Sequence, residues 1–201
     1  MKVIGFTGGI GSGKSTVSQF MAELGAVILN TDEVGYEAFK PDTELWRQVV
    51  AAFGRQIVTP DGNIDRKKLG NIVFGNAESL SRLNQIMHPR MYHMVKAQLK
   101  EYREQGTRVI VLEAPLLLEA GWTPLVDEVW VTTASESTVL KRLEERTGLS
   151  PVESLTRIRS QLSSAERVRR ADVVINTDCD LNELKSRVTE LWRKLKLDTL
   201  P

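Results

Sequence analysis

This chain is nearly free of cysteine and has almost no excess of charge. Cys179 is the single cysteine among 201 residues, which excludes an intrachain disulfide and a cysteine-based metal cluster. That composition fits a reducing, cytoplasmic location. Lysine and arginine number 27 against 26 acidic residues, which argues against a nucleic-acid partner. No apolar run is long enough to cross a membrane, and the first one is too short for a signal peptide.

Five short apolar runs alternate with segments of helical periodicity. Near-continuous apolar strands separated by helices indicate a parallel sheet that is covered on both faces. The sequence therefore predicts an α/β fold built on a five-stranded parallel sheet. The predicted strands are Lys2–Phe6, Ala26–Asn30, Arg108–Ala114, Asp127–Thr133 and Asp172–Thr177.

The segment between the second and third predicted strands differs, because its pattern is helical throughout. Proline and glycine divide it at Pro60-Asp61-Gly62 and again at His88-Pro89. We interpret this segment as a helical insertion in the sheet domain. Its predicted helices cover residues 43–54, 65–75, 77–87 and 89–106.

The glycine-rich stretch after the first strand has the pattern G-x-x-x-x-G-K-[ST], met by Gly8, Gly13, Lys14 and Ser15. Glycines let the backbone curl so that several N–H groups face one anion, and the following helix presents its positive end to the same phosphates. The lysine can reach the β- and γ-phosphates, and the Ser15 hydroxyl can ligate Mg²⁺. A turn that binds nothing is the alternative, but a strand before and an amphipathic helix after favour a P-loop NTPase-type fold. The predicted ATP contacts are Gly9, Gly11, Ser12, Gly13, Lys14, Ser15 and Thr16.

Several classes of protein begin with such a loop. A GTPase would need a guanine-reading Asn-Lys-x-Asp, which the sequence lacks, and a motor or large ATPase would normally be longer. A small kinase remains, and it needs a carboxylate near the acceptor hydroxyl. Asp32 follows the second strand directly, so its side chain is expected at the carboxyl edge of the sheet. The alternative is that Asp32 or Thr31 merely caps the next helix.

The segment Lys141–Arg170 is rich in arginine and contains a capping box, Ser150–Glu153, which predicts a short helix. Arg157 and Gln161 would share one face of that helix. We interpret the segment as a lid that supplies cations to the transferred phosphate. The predicted ATP contacts within it are Arg142, Arg146 and Arg157. We expect the other cations to form a solvated face paired with glutamates: Lys141, Arg159, Arg167, Arg169 and Arg170.

Together these stretches resemble the dephospho-coenzyme A kinase family, over nearly the whole chain. The resemblance rests on "TGGIGSGKSTV", "ILNTDEVGYEAF", "MHPRM", "EAPLLLEAGW", "LKRLEER", "RIRSQ" and "RRADVVINT". It implies that ATP, with Mg²⁺, phosphorylates the ribose 3′-hydroxyl of dephospho-coenzyme A, the last step of coenzyme A biosynthesis. We expect a monomer or a weak homo-oligomer.

The resemblance also implies site residues and three parts. Asp32 matches the proposed base, Lys14 the P-loop lysine and Arg142 a nucleotide-gripping cation. The implied substrate contacts are Asp32, His88, Arg90, Pro115 and Leu116. The implied parts are a nucleotide-binding core at 1–40, 106–146 and 171–201, a coenzyme-binding insertion at 41–105 and a lid at 147–170.

The sequence departs from the family pattern at two charged positions. Asn30 replaces the first carboxylate of the usual Asp-Ala-Asp, and Glu113 replaces an aspartate after the third strand. Two alternatives stay open at this point. One is a nucleoside or nucleotide monophosphate kinase, and the other is a nucleotide-binding regulatory module that has lost catalysis, with Asn30 as the sign of that loss.

Overall fold

The computed structural model describes residues 1–195 without the side chain of Phe74, and its centre is a five-stranded parallel sheet. The strand order is β2-β3-β1-β4-β5, and every pairing is parallel. The predicted fold class is confirmed, and each strand begins and ends within two residues of its expected position. The strands are β1 Lys2–Gly8, β2 Val27–Asn30, β3 Val109–Glu113, β4 Glu128–Thr133 and β5 Val173–Asn176.

Strand β1 lies in the middle of the sheet because it is apolar on both faces. Residues 3–8 of this strand are all buried. In register, Phe6 is paired with Glu113 of β3 on one side and with Trp130 of β4 on the other. Parallel strands end at one common edge, so the glycine-rich loop leaves the sheet at that edge beside the ends of β3 and β4.

Nine α-helices connect or follow these strands within the described residues. Helix α1 begins at Lys14, as the sequence predicts. Its chain reverses at Gly25, whose φ of 102° is in the region that glycine alone adopts without strain. The helices are α1 Lys14–Glu23, α2 Thr31–Ala38, α3 Glu44–Phe53, α4 Arg66–Phe74, α5 Ala77–Glu104, α6 Glu136–Thr147, α7 Pro151–Arg159, α8 Ser164–Arg169 and α9 Leu181–Lys194.

The chain forms two compact units, which are described separately. The first comprises Met1–Asn30 and the described chain from Tyr102 onward, and the second is Thr31–Glu101. In the first unit, Val17 and Met21 of α1 pack with Trp130 of the sheet in one buried cluster. Full burial of each such side chain contributes about 1.5–3 kcal/mol.

The second unit has its own apolar core and is entirely helical apart from one isolated bridge between Val58 and Ile64. Helix α3 contributes Leu45, Val49 and Phe53, spaced four residues apart on one face. The predicted division into core, insertion and lid stays a prediction. The last six residues of its 171–201 segment lie outside the described range.

One predicted break is wrong, because α5 continues through Pro89 as a single helix. Proline lacks a backbone N–H, so the helix loses one internal hydrogen bond at that point. The buried side chains of Leu83, Met91 and Val95 stand on both sides of the proline. Burial of this shared face stabilises one long helix more than the proline destabilises it. Among residues 1–195, no helix combines the length and apolarity needed to cross a membrane.

Candidate active site

The loop between β1 and α1 has a backbone that only its glycines permit. Gly11 and Gly13 adopt φ angles of 72° and 84°, in the left-handed region. At Gly8 an added Cβ would lie 2.2 Å from the Thr132 hydroxyl, so any side chain would clash with β4. The loop therefore curls tightly ahead of α1, whose N-terminus points its free N–H groups and positive dipole end at the same space. This arrangement suits phosphate.

Buried hydroxyls support the loop from inside the protein. The Ser12 hydroxyl shares a hydrogen bond of 2.8 Å with Thr132, and the Thr177 hydroxyl donates to the Ser12 carbonyl at 3.1 Å. All three residues are buried. Ser12 is a predicted ATP contact, but its side chain is used within the protein, so a ligand would meet only its backbone.

Lys14 and its two neighbours lie at the start of α1. The Lys14 ammonium donates to the Gly8 and Gly9 carbonyls at 2.8 and 3.0 Å, so it lies against the first half of the loop. Ser15 is exposed and Thr16 is half-buried. The lysine charge, the Ser15 hydroxyl and the loop glycines therefore lie near one another, and their contact with phosphate stays a prediction.

Arg142 of α6 contacts the loop from the other side. Its guanidinium donates to the Gly11 carbonyl at 3.2 Å, to the Thr177 hydroxyl at 2.9 Å and to the Thr177 carbonyl at 2.8 Å. The structure thus places this predicted catalytic cation where it holds the loop to the segment after β5. Sequence reasoning missed Thr177, because a single threonine after a strand has no spacing signal.

We expect Thr177→Val to loosen this arrangement. Valine keeps the shape but leaves the Ser12 carbonyl and one Arg142 N–H without their buried partner, which should lower the free energy of unfolding by about 1–3 kcal/mol. Chemical denaturation measures the loss. The control is Thr156→Val on the exposed face of α7, expected to change stability by less than about 0.5 kcal/mol. Equal stabilities for both variants would contradict the role given to Thr177.

The predicted lid segment forms α7 and α8, and the structure bears out the capping box. Ser150 and Glu153 make both of its hydrogen bonds. Arg146 and Arg157 are exposed. The expected shared face of Arg157 and Gln161 is wrong, since α7 ends at Arg159. Gln161 instead turns to the phosphate loop.

A cavity of about 410 Å³ separates the phosphate loop from α7 and α8. At the edge of this cavity, the Gln161 side-chain oxygen accepts a hydrogen bond of 2.9 Å from the Ile10 backbone N–H. Arg167 lines the cavity, is only 1% exposed and donates to Glu119 at 2.7 Å. Sequence reasoning placed Arg167 on a solvated face. Its burial could not be read from an arginine-rich pattern.

The two departures from the family pattern are neighbours in the sheet. Asn30 and Glu113 are paired in register at the ends of β2 and β3. The Glu113 carboxylate accepts a hydrogen bond of 2.6 Å from Ser18, which ties β3 to α1. Residues 1–195 contain no group of three or more His, Cys, Asp or Glu placed to hold a metal ion.

The remaining predicted residues are divided between the two units. In the first, the Pro115 carbonyl accepts a hydrogen bond from Thr7, and Leu116 is 45% exposed. In the second, Asp32 is exposed in the first turn of α2, two residues beyond the end of β2. His88 is half-buried and Arg90 is exposed on α5.

Burial lowers the pKa of His88 below its ordinary value. The folded protein therefore disfavours the imidazolium, and the unfolded chain binds the extra proton as the pH falls through about 6.5. We expect His88→Gln to lose less thermal stability than the wild type between about pH 7.5 and 5.5. Melting curves at both pH values test this, with His93→Gln, an exposed position on the same helix, as background. Identical pH dependence for wild type and His88→Gln would contradict it.

The central strand, the glycine loop and the helix after it define a class: the chain is an α/β P-loop protein with a kinase-like fold. Residues 2–183 match the family model for dephospho-CoA kinase, CoaE. The chain belongs to the dephospho-CoA kinase family.

Known proteins similar to this chain cover almost all of it. Dephospho-CoA kinase of Dehalococcoides mccartyi is 43% identical over 198 residues, 98% of this chain and 99% of that protein. A crystal structure from Thermus thermophilus has a TM-score of 0.81 at 29% identity and covers 96% and 97% of the two chains. Dephospho-CoA kinase of Campylobacter jejuni has a TM-score of 0.74 at 24% identity over the full length of both.

Proposed function

We propose that this chain is a phosphotransferase that moves the γ-phosphoryl group of ATP to the ribose 3′-hydroxyl of dephospho-coenzyme A. The products are coenzyme A and ADP, and the reaction is the last step of coenzyme A biosynthesis. The observation that carries the proposal is the family match over residues 2–183, which contains an intact phosphate loop. Relatives that are 43% identical to this chain are named dephospho-CoA kinase.

The phosphate loop binds ATP through its backbone more than through its side chains. Its N–H groups and the N-terminus of α1 hold the phosphates. Lys14 leaves the Gly8 and Gly9 carbonyls and turns its ammonium to the β- and γ-phosphates. Arg142 and the supporting hydroxyls keep the loop curled, so that little reorganisation is needed when the nucleotide arrives.

Ser15 is the residue we propose for Mg²⁺. Its exposed hydroxyl stands at the start of α1, next to Lys14. Magnesium usually keeps several waters and takes its other ligands from substrate phosphates. A single protein hydroxyl can therefore serve at this site, and a full set of protein ligands is not needed. When bound, the ion would neutralise charge on the β- and γ-phosphates. Asn30 can add a neutral oxygen but no charge.

Asp32 is the proposed general base. Its support is its place in the chain, two residues beyond a strand that ends at the carboxyl edge of the sheet. The carboxylate accepts the proton of the 3′-hydroxyl as that oxygen bonds to the γ-phosphorus. The bond from the γ-phosphorus to the bridging oxygen breaks, and ADP leaves.

The second compact unit is the proposed coenzyme-binding part, and α7 and α8 form the proposed lid. His88, Arg90, Pro115 and Leu116 are the proposed acceptor contacts, and Arg146 and Arg157 are proposed to reach ATP when the lid is occupied. Exposure of Arg90, Leu116, Arg146 and Arg157 leaves them accessible to a ligand. A cytoplasmic location and a monomer or weak homo-oligomer complete the proposal.

A coupled assay of ADP release with ATP and Mg²⁺ tests this function. The acceptors compared are dephospho-coenzyme A, adenosine, AMP and CMP. We expect fast turnover with dephospho-coenzyme A alone. Faster turnover with a nucleotide would move the chain to the monophosphate kinases. ATP binding without turnover on any acceptor would indicate a regulatory module.

A further inference from the structure

Arg167 is a buried arginine with an incomplete set of hydrogen bonds. Its Nη2 donates to Glu119, but Nε and Nη1 have no hydrogen-bond partner in the described part of the chain. Its side chain is only 2% exposed to bulk solvent. A buried charged donor without an acceptor is costly, so it calls for an explanation such as an ordered water, a bound ion or a catalytic role.

The surroundings of Arg167 connect it to the phosphate loop. It lines the same 410 Å³ cavity as Gly9 and Ile10 of that loop. The Lys14 ammonium, which reaches for β- and γ-phosphates in such loops, lies against the Gly8 and Gly9 carbonyls. The cavity thus adjoins the first half of the loop, whose Gly8 and Gly9 carbonyls Lys14 contacts, and not the start of α1.

Gln161 connects the segment after α7 to the same part of the phosphate loop. Its side-chain oxygen accepts the Ile10 N–H at 2.9 Å, across 151 residues of sequence. That N–H belongs to the loop whose amides bind phosphate oxygens. The Gln161 carbonyl thus occupies the position of an anionic oxygen and can be displaced by one. Arg167 and Gln161 flank the same cavity, and both belong to the segment after α7.

We propose that Arg167 binds the terminal phosphate of ATP, and that Gln161 releases the Ile10 amide to the same phosphate. This inference rests on the proposed function and deepens it, because it assigns the phosphate-binding cation of the lid to a residue other than Arg142 or Arg157. A planar guanidinium matches a tetrahedral oxyanion with two or more parallel donors. Phosphoryl transfer concentrates charge on those terminal oxygens, so the contact serves both binding and rate.

The ion pair with Glu119 defines the competing explanation, in which Arg167 only anchors α8. Burial lowers the pKa of Arg167, and the nearby Glu119 charge opposes that shift only in part. Glu119 is 24% exposed at its side chain and satisfies one nitrogen only. If Arg167 only anchors α8, replacing Arg167 and replacing Glu119 should affect ATP binding equally. If Arg167 binds phosphate, replacing Arg167 should weaken ATP binding much more than replacing Glu119.

Equilibrium binding of ATP and ADP, measured by calorimetry with Mg²⁺ present, separates the two explanations. Removal of a charge-assisted hydrogen bond to the terminal phosphate should weaken ATP about ten- to a hundredfold in Arg167→Met and leave ADP nearly unchanged. Arg167→Lys, which keeps the charge, should recover part of the ATP affinity. Glu119→Gln is the matched control and should keep the wild-type ratio of the two dissociation constants.

If Arg167→Met does not fold, Arg167→Met combined with Glu119→Met takes its place, because well-packed apolar pairs often replace buried ion pairs without loss of stability. Equal losses of ATP and ADP affinity, or equal effects of Arg167→Met and Glu119→Gln, would overturn the inference and leave the proposed function standing. A wild-type protein that does not bind ATP at all would overturn the proposed function first, and the inference with it.

Discussion

Asp32→Asn should lower kcat by about 10²–10⁴-fold, the usual contribution of a positioned general base. Asparagine keeps the size of the side chain but cannot accept the proton of the 3′-hydroxyl at neutral pH. The Kd for ATP should stay close to the wild-type value, because the loop and Lys14, and not Asp32, are proposed to hold the phosphates. Steady-state kinetics and a separate ATP titration measure the two effects.

Glu33→Gln is the matched control for that experiment. Glu33 is the next residue of α2, is exposed and lies in the same first turn, so its replacement changes the local charge by the same amount. Its kcat should remain near the wild-type value. Comparable kcat values for Asp32→Asn and Glu33→Gln would show that Asp32 is not the base.

Lys14→Ala should damage binding and chemistry together. The ammonium is the proposed cation for both the β- and γ-phosphates, so its removal should weaken ATP binding in the ground state and in the transition state. We expect kcat/KM to fall by about 10²–10³-fold, as for the loss of one preorganised electrostatic contact. Lys14 also donates to two loop carbonyls, and thermal melting will show whether the fold survives the change.

Lys141→Ala is the control for a general loss of positive charge. Lys141 is on α6 in the same unit, and its side chain is 77% exposed with a long contact to Glu145. Its removal should leave kcat/KM within about twofold of the wild type, as expected for an exposed pair that contributes little. An unchanged rate in Lys14→Ala would remove the basis for a phosphate site at this loop.

The local parts of this molecule could be predicted from the sequence. Continuous apolar runs give the five strands, since a parallel sheet buries both faces of its strands. The glycine pattern before Lys14 gives the loop and the start of α1. Ser150 and Glu153 give the cap of α7, because the capping box depends on residues only three apart.

The supports of the site depend on contacts that no local pattern contains. Thr177 reaches the Ser12 carbonyl across 165 residues, and Arg142 reaches the Gly11 carbonyl across 131. Burial distinguishes Arg167 from the arginines around it, and burial follows from packing rather than from composition. The break predicted at Pro89 failed for a related reason, because packing on both sides of the proline outweighed its local preference.

The most direct test of the account is to identify the product of the reaction with dephospho-coenzyme A. The chain is incubated with ATP, Mg²⁺ and the acceptor, and the product is analysed by liquid chromatography with fragmenting mass spectrometry against authentic coenzyme A. We expect a product that gains one phosphate on the ribose 3′-oxygen, and no product from a 3′-deoxy analogue of the acceptor. Phosphate at another position, or phosphorylation of the 3′-deoxy analogue, would contradict the account.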